Sequence, residues 1–195
     1  MEQRYSRNAA NIKSQLLESN SGTSRRNVAC KVSAMKPAKN HTYSLQYSFN
    51  QTLDAPAEVA FDWCTDYQPS DIAMMKEEGE RNIQKITDDT ILLTETTKKI
   101  NRLVRKTKLV RLNRPFLSWT NTHIAGPNRH SQFLYKIVPE GKTRCRLYFQ
   151  GLLIQYSRKP LTPRQLHNIA RNERQGDATA WRHLAASLRK ETASR

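Results

Sequence analysis

Glycine is scarce. The chain has six, standing singly at Gly22, Gly79, Gly126, Gly141, Gly151 and Gly176. A phosphate cradle or a dinucleotide fingerprint needs clustered glycines where backbone approaches phosphate, so both are excluded. Cysteine is scarcer still. Cys30, Cys64 and Cys145 are far apart and odd in number, and form neither a disulfide framework nor a CxxC knuckle. A reducing, cytoplasmic setting is the expectation they set. No apolar run approaches the roughly 18 residues of a bilayer-crossing helix. HExxH, GxSxG and Walker motifs are missing, so neither a metal nor a cofactor is expected. Acidic residues are also few.

Against 17 Asp and Glu stand 33 Lys and Arg, a net charge of +16 in 195 residues. The charge is unevenly spread. Residues 1–53 carry eight basic and two acidic groups, residues 54–95 three basic and 11 acidic, and residues 96–195 22 basic and four acidic. An acidic block can attract the basic remainder within one fold, while the surplus faces solvent or an anionic partner.

Residues 1–40 show no sustained hydrophobic period and are rich in Ser, Asn, Arg and Lys. Such a segment buries too little apolar surface to offset its ordering entropy, and reads as a disordered basic arm before a domain over 41–195. Its Arg- and Ser-rich composition fits an organelle-targeting segment, with Glu2 and Glu18 counting against that reading.

From Thr42 the pattern changes. Tyr43, Leu45, Tyr47, Phe49 and Leu53 take odd positions with polar residues between, a half-buried strand. Asp54-Ala55-Pro56-Ala57-Glu58 reads as a helix start with Asp54 as N-cap, and Val59, Phe61, Trp63 and Cys64 as its buried side. Ser70 is set to cap a second short helix carrying Ile72. Six strands follow near 80–87, 90–99, 102–112, 117–125, 130–138 and 143–154, with turns at Asp88-Asp89, Asn113-Arg114-Pro115, Gly126-Pro127-Asn128 and Glu140-Gly141-Lys142. Connections this short join antiparallel neighbours. Thr162-Pro163-Arg164-Gln165 then matches a capping box, and Leu166, Ile169, Ala170, Trp181, Leu184, Ala185 and Leu188 mark one face of a helix of nearly 30 residues, with Gly176 a place for a kink.

This order, an α+β arrangement of strand, two short helices, antiparallel meander and long helix, resembles the helix-grip fold of the START/polyketide-cyclase superfamily, written SRPBCC. The resemblance rests on Asp54-Ala55-Pro56-Ala57-Glu58-Val59-Ala60-Phe61-Asp62-Trp63-Cys64-Thr65-Asp66-Tyr67 after the opening strand. It rests also on the later hairpin from Gly126-Pro127-Asn128 through Phe133-Leu134-Tyr135 to Glu140-Gly141-Lys142 and Cys145-Arg146-Leu147, and it spans roughly 42–192. It implies a curved sheet gripping the long helix, with a hydrophobic cavity between them. Members bind lipids, sterols or polyketides, and a minority catalyse cyclisation or dehydration. Both motifs describe fold geometry and neither is catalytic.

The residues support a cavity independently. A curved sheet closed by one helix leaves an apolar concavity with a few polar groups. Its inward candidates are Tyr47, Phe49, Leu93, Trp119, Phe133, Tyr135, Leu147, Phe149 and Trp181. The register that turns Trp119 inward also turns Asn121 and His123 inward, and the one that buries Leu93 buries Glu95. Glu95 and His123 are then the acid–base pair near the cavity, the enclosed carboxyl raised and able to share a proton with the imidazole. In the alternative reading Glu95 pairs with an arginine and His123 is a satisfied strand histidine. Glu58, Asp62 and Asp66, four residues apart, read as a solvated helix face rather than a metal site.

The acid-free stretch 98–114 holds Arg102, Arg105, Lys106, Lys108 and Arg111 among its cations. As strands, half would project from the solvent face as a positive stripe, suited to RNA phosphates or an anionic membrane surface, or merely solvated. The leading expectation is therefore binding, and with it transport, of a hydrophobic or amphipathic small molecule such as a lipid or polyketide-like compound. The alternatives are a cofactor-free cyclase- or dehydratase-like enzyme using Glu95 and His123, and a basic accessory protein on RNA or an anionic surface.

Overall fold

The alternation that begins at Thr42 builds the first edge of a curved sheet. In the computed structural model, which describes residues 40–99 and 102–193, β1 spans His41–Leu53; its odd residues Tyr43, Leu45, Tyr47 and Phe49 are half-buried and its even residues exposed. The basic arm, up to residue 39, lies outside the described residues. Six more strands follow as β2 (Gly79–Lys85), β3 (Thr90–Lys99), β4 (Arg102–Asn113), β5 (Ser118–Ala125), β6 (Gln132–Pro139) and β7 (Cys145–Ser157). They form one antiparallel sheet in the order β1-β7-β6-β5-β4-β3-β2. This is the helix-grip architecture that the sequence pattern predicts.

Two short helices separate β1 from the meander. The first, α1 (Ala57–Thr65), starts at Pro56, and no side chain caps it. Asp54, expected as its N-cap, instead faces Arg189 at 3.9 Å. Its buried face is Ala57, Ala60, Phe61 and Thr65, at helical steps, whereas Val59 is 40% exposed. Ser70 precedes α2 (Asp71–Met74) without a side-chain cap bond, and Ile72 anchors that turn in the core.

The remaining helix, α3, covers Pro163–Ala193. Its capping box forms: the Gln165 amide donates to Thr162 Oγ1 at 3.3 Å, and the Thr162 amide to Gln165 Oε1 at 2.8 Å. It runs uninterrupted through Gly176 for 31 residues, about 46 Å at 1.5 Å each. It packs chiefly along β1. Tyr47 reaches it through its hydroxyl, and Arg174 Nε donates to the Ser48 carbonyl at 2.8 Å. A 13-residue edge strand without one charged side chain is a template for unwanted pairing, and a covering helix is one way of closing it.

Aromatic rings fill much of the concave side. Trp119 stacks on Tyr135 at 4.8 Å with planes 3° apart, Phe49 stacks on Phe149 at 4.5 Å, and Trp181 of α3 sits 5.6 Å from Tyr135. Gly151 makes room for them, since a Cβ there would lie 3.0 Å from the Tyr47 ring and 3.1 Å from Phe149. Gly151→Val is expected to destabilise the fold by about 1–3 kcal/mol through overpacking, read as a lower urea midpoint at unchanged slope.

Candidate functional site

Three strands and one short helix bring opposite charges together beneath the sheet. Arg81 of β2 and Glu95 of β3 are register partners, and Lys108 follows on β4. Arg81 donates to Glu95 Oε1 from Nε at 3.1 Å and from Nη2 at 2.9 Å; its Nη1 pairs with Asp71, in the first turn of α2, and donates to the Gln68 carbonyl. The Lys108 ammonium lies 2.5 Å from Glu95 Oε2. Glu95 and Arg81 side chains are 7% and 5% exposed, so this is a buried cluster.

These charges border a cavity of about 140 Å³ between sheet and α3, whose walls include Trp119, Asn121, Tyr135, Trp181 and Leu184 as well as Asp71, Arg81, Glu95, Lys108 and Asp177. Tyr67 enters it from a left-handed backbone position, φ 52°, and donates its hydroxyl to Asn121 Oδ1 at 3.2 Å. A larger depression of about 640 Å³ on the outer sheet face is lined mainly by Gln46, Ser48, Thr120, Thr122 and Gln150. It gathers no ionisable cluster. The convergent chemistry is inside.

Burial works on Glu95 to raise its pKa, but Lys108 and Arg81 overcome it and hold the carboxyl down to about 2. The expected rise is thus reversed, because the enclosing groups are cations bonded to the carboxylate. His123 is pushed down to about 3 by burial and then by Lys108 and Lys106. It faces Lys108 across the β4–β5 ladder and packs edge-on against Phe133, outside the cavity lining, with Nδ1 unpartnered. The arrangement matches the alternative reading for Glu95, paired with an arginine. A bulge at Ile124 comes one residue beyond His123 and leaves Trp119, Asn121 and His123 on the concave side.

Another carboxyl borders the cavity, Asp177 of α3. Burial lifts its carboxyl to about 6, opposed by the Tyr47 hydroxyl, which donates to Oδ2 at 2.7 Å, and supported by Glu173. Of the residues singled out in the sequence, Glu95, Trp119, Asn121, Tyr135 and Trp181 line the cavity. Leu93, Phe133, Leu147 and Phe149 are packed into the core, while Tyr47 and Phe49 are half-buried beside it. Asp71, Arg81, Tyr67 and Asp177 were not anticipated. Asp177 carried a signal: it stands four residues before Trp181, a carboxyl on the inward stripe of an amphipathic helix.

The basic stretch of β4 is divided rather than continuous. Arg102, Arg105 and Arg111 are exposed, but Lys106 and Lys108 turn toward the concave side, where burial and Lys108 lower the Lys106 ammonium. At the ends of the 98–114 run, Lys98 of β3 pairs with Glu78 at 2.9 Å and Arg114, just after β4, with Asp62 at 2.5 Å. Of the five cations expected to face an anionic partner, Lys106 and Lys108 are thus corrected to the concave side, and the expectation that half of the run projects outward applies to the arginines.

Glu95→Gln leaves Arg81 and Lys108 without their shared anion, at a cost of about 3–5 kcal/mol. The folded-state value near 2 lies below the ordinary 4.5, so the stabilisation is full above pH 4.5 and lost as pH falls toward 2. Chemical denaturation between pH 7 and pH 2 should show a steeper acid loss in the parent than in Glu95→Gln. Equal slopes would contradict this assignment.

The sequence matches no protein-family model and no curated protein. Solved structures do resemble it. The Zhui aromatase/cyclase from Streptomyces sp. R1128 has a TM-score of 0.65 at 10% identity, covering 77% of this chain and 96% of that one. Norcoclaurine synthase from Thalictrum flavum, in complex with dopamine and hydroxybenzaldehyde, has 0.59 at 12%, covering 88% and 96%. A START superfamily protein from Mycobacterium smegmatis has 0.58 at 14%, covering 73% and 98%. At these identities the likeness speaks for architecture. By its strand order, its single gripping helix and these neighbours, the chain has the helix-grip fold of the START/polyketide-cyclase superfamily.

Proposed function

We propose that this protein binds a small amphipathic molecule in the cavity beneath α3. The observation that carries the reading is the pairing of aromatic walls, Trp119, Tyr135 and Trp181, with convergent polar groups in one enclosed space. Arg81, Lys108 and Glu95 are committed to one another, so the groups left to meet a ligand's polar end are Asp177 and the Tyr67–Asn121 pair. The volume sets the scale. A cavity near 150 Å³ accepts a benzene-sized guest. A whole lipid needs α3 to move away from the sheet. Such movement is supported by the packing of α3, in which Leu188 is the buried residue and the inward residues before it are half-buried.

A cyclase- or dehydratase-like enzyme is the second reading, and Asp177 favours it. A carboxyl near 6 is poised to accept or return a proton at a bound carbonyl, which Glu95, held near 2, is not. Catalysis would then run through Asp177, with Glu95 as a structural counter-ion.

Ala180 lines the cavity, so Ala180→Phe should fill it without removing any of its charged groups. Trp119 and Trp181 make tryptophan emission the readout. Titration with the single-ring probe 4-methylphenol is expected to give a saturable emission change in the parent, weakened at least tenfold in Ala180→Phe with an unchanged circular dichroism spectrum. Equal responses, or none in the parent, would sink the proposal.

A further inference from the structure

The four acidic residues of the chain's last hundred include three on α3: Glu173, Asp177 and Glu191. At 100° per residue these share the inward side of the helix with Trp181 and Leu188. Arg164, Arg171, Arg174, Arg182 and Arg189 fall elsewhere, within an arc of about 80° along one flank that runs about 38 Å. All five are exposed. Among the described residues Arg189 alone of these has a carboxylate within ion-pair range, Asp54 at 3.9 Å. Arg174 gives Nε to the Ser48 carbonyl and Arg182 gives Nη2 to Thr179, and both residues remain exposed.

Beside the centre of this flank lies a groove of about 900 Å³ between α3 and β1. Arg174 and Arg182 border it. Asn50, Gln51, Gln150 and Gln175 supply amides, and Tyr148, 45% exposed, supplies an open ring. An arginine row tracks phosphates, amides both donate to and accept from base edges and ribose 2′-hydroxyls, and an exposed aromatic stacks a base. A membrane-docking flank would instead carry large apolar side chains to insert. Here the positions interleaved with the arginines are His167, Ala178 and Ala185, and none of them is a large apolar side chain. We propose that the arginine flank of α3 and its adjoining groove bind single-stranded RNA.

The test is fluorescence anisotropy of the full chain with a labelled 20-nucleotide single-stranded RNA over a range of salt. The parent should bind with affinity falling as salt rises, and the double variant Arg171→Gln/Arg174→Gln should bind at least tenfold more weakly. Its salt slope should flatten by about 1.4, at roughly 0.7 for each phosphate that is no longer neutralised. Tyr148→Ala should weaken binding without changing that slope. Arg105→Gln/Arg111→Gln, exposed on the sheet and equal in charge, should change affinity less than twofold. Equal losses from the two double variants would reduce the interaction to bulk charge and overturn the proposal. So would undiminished binding by the α3 variant. Preferential binding to vesicles of 30% phosphatidylserine in phosphatidylcholine, abolished in the same α3 variant, would assign the flank to a membrane instead.

Discussion

One helix cannot cover the concave side of this sheet. Seven strands about 4.8 Å apart span roughly 29 Å, whereas a helix with its side chains is about 10–12 Å across. Because α3 packs chiefly along β1, the side of the bowl under β2–β4 must be closed by something else. Aromatic rings rise from the central strands, α2 closes over β2, and the space left becomes the cavity. The charged cluster sits on the strands farthest from the helix. Arg81, Glu95 and Lys108 have long side chains that meet there, and they are admissible in the interior because they satisfy one another.

The same geometry separates two carboxyls by role. Glu95 and Asp177 both border the cavity, and burial acts on both in the same direction. Glu95 is surrounded by two bonded cations and stays ionised. Asp177 receives a neutral phenol from Tyr47 and shares its helix with Glu173, so its charge is compensated far less. A proton-handling group in this cavity is therefore set by what α3 presents and not by what the sheet presents.

Much of the architecture was legible in the sequence because its signals are local. Odd-position apolar residues between Tyr43 and Phe49 announce β1, short polar turns announce hairpins, and Thr162 to Gln165 announce the start of α3. Parity also placed Trp119, Asn121, His123 and Glu95 on one face. The helix cap at Asp54 failed because the chain starts its helix at Pro56 and Asp54 faces Arg189. The cap at Ser70 failed because its backbone is already helical, φ −63° and ψ −21°, where a cap needs extended geometry. The cluster was invisible for a different reason. Asp71 and Arg81 lie in the acidic block within the short elements α2 and β2, where no sustained period marks an inward residue, and Lys108 looked like one of a run of surface cations. Pairing between strands, which depends on register across some 14–27 positions, turned it inward.

A net charge of +16 is a poor guide to where this molecule is positive. Acids from the 54–95 block pair with cations at the two ends of the 98–114 run, as Asp62 does with Arg114 and Glu78 with Lys98, so part of the basic run in the sequence is locally cancelled. On α3 the helical period does the reverse. It gathers Glu173, Asp177 and Glu191 on the side facing the sheet and leaves the arginines together on a flank with little opposing charge. Potential at a surface depends on such local sums, weighted over about a Debye length of 8–10 Å, more than on the total. The segregation that makes α3 amphipathic toward the cavity therefore also concentrates exposed arginines on its outer flank.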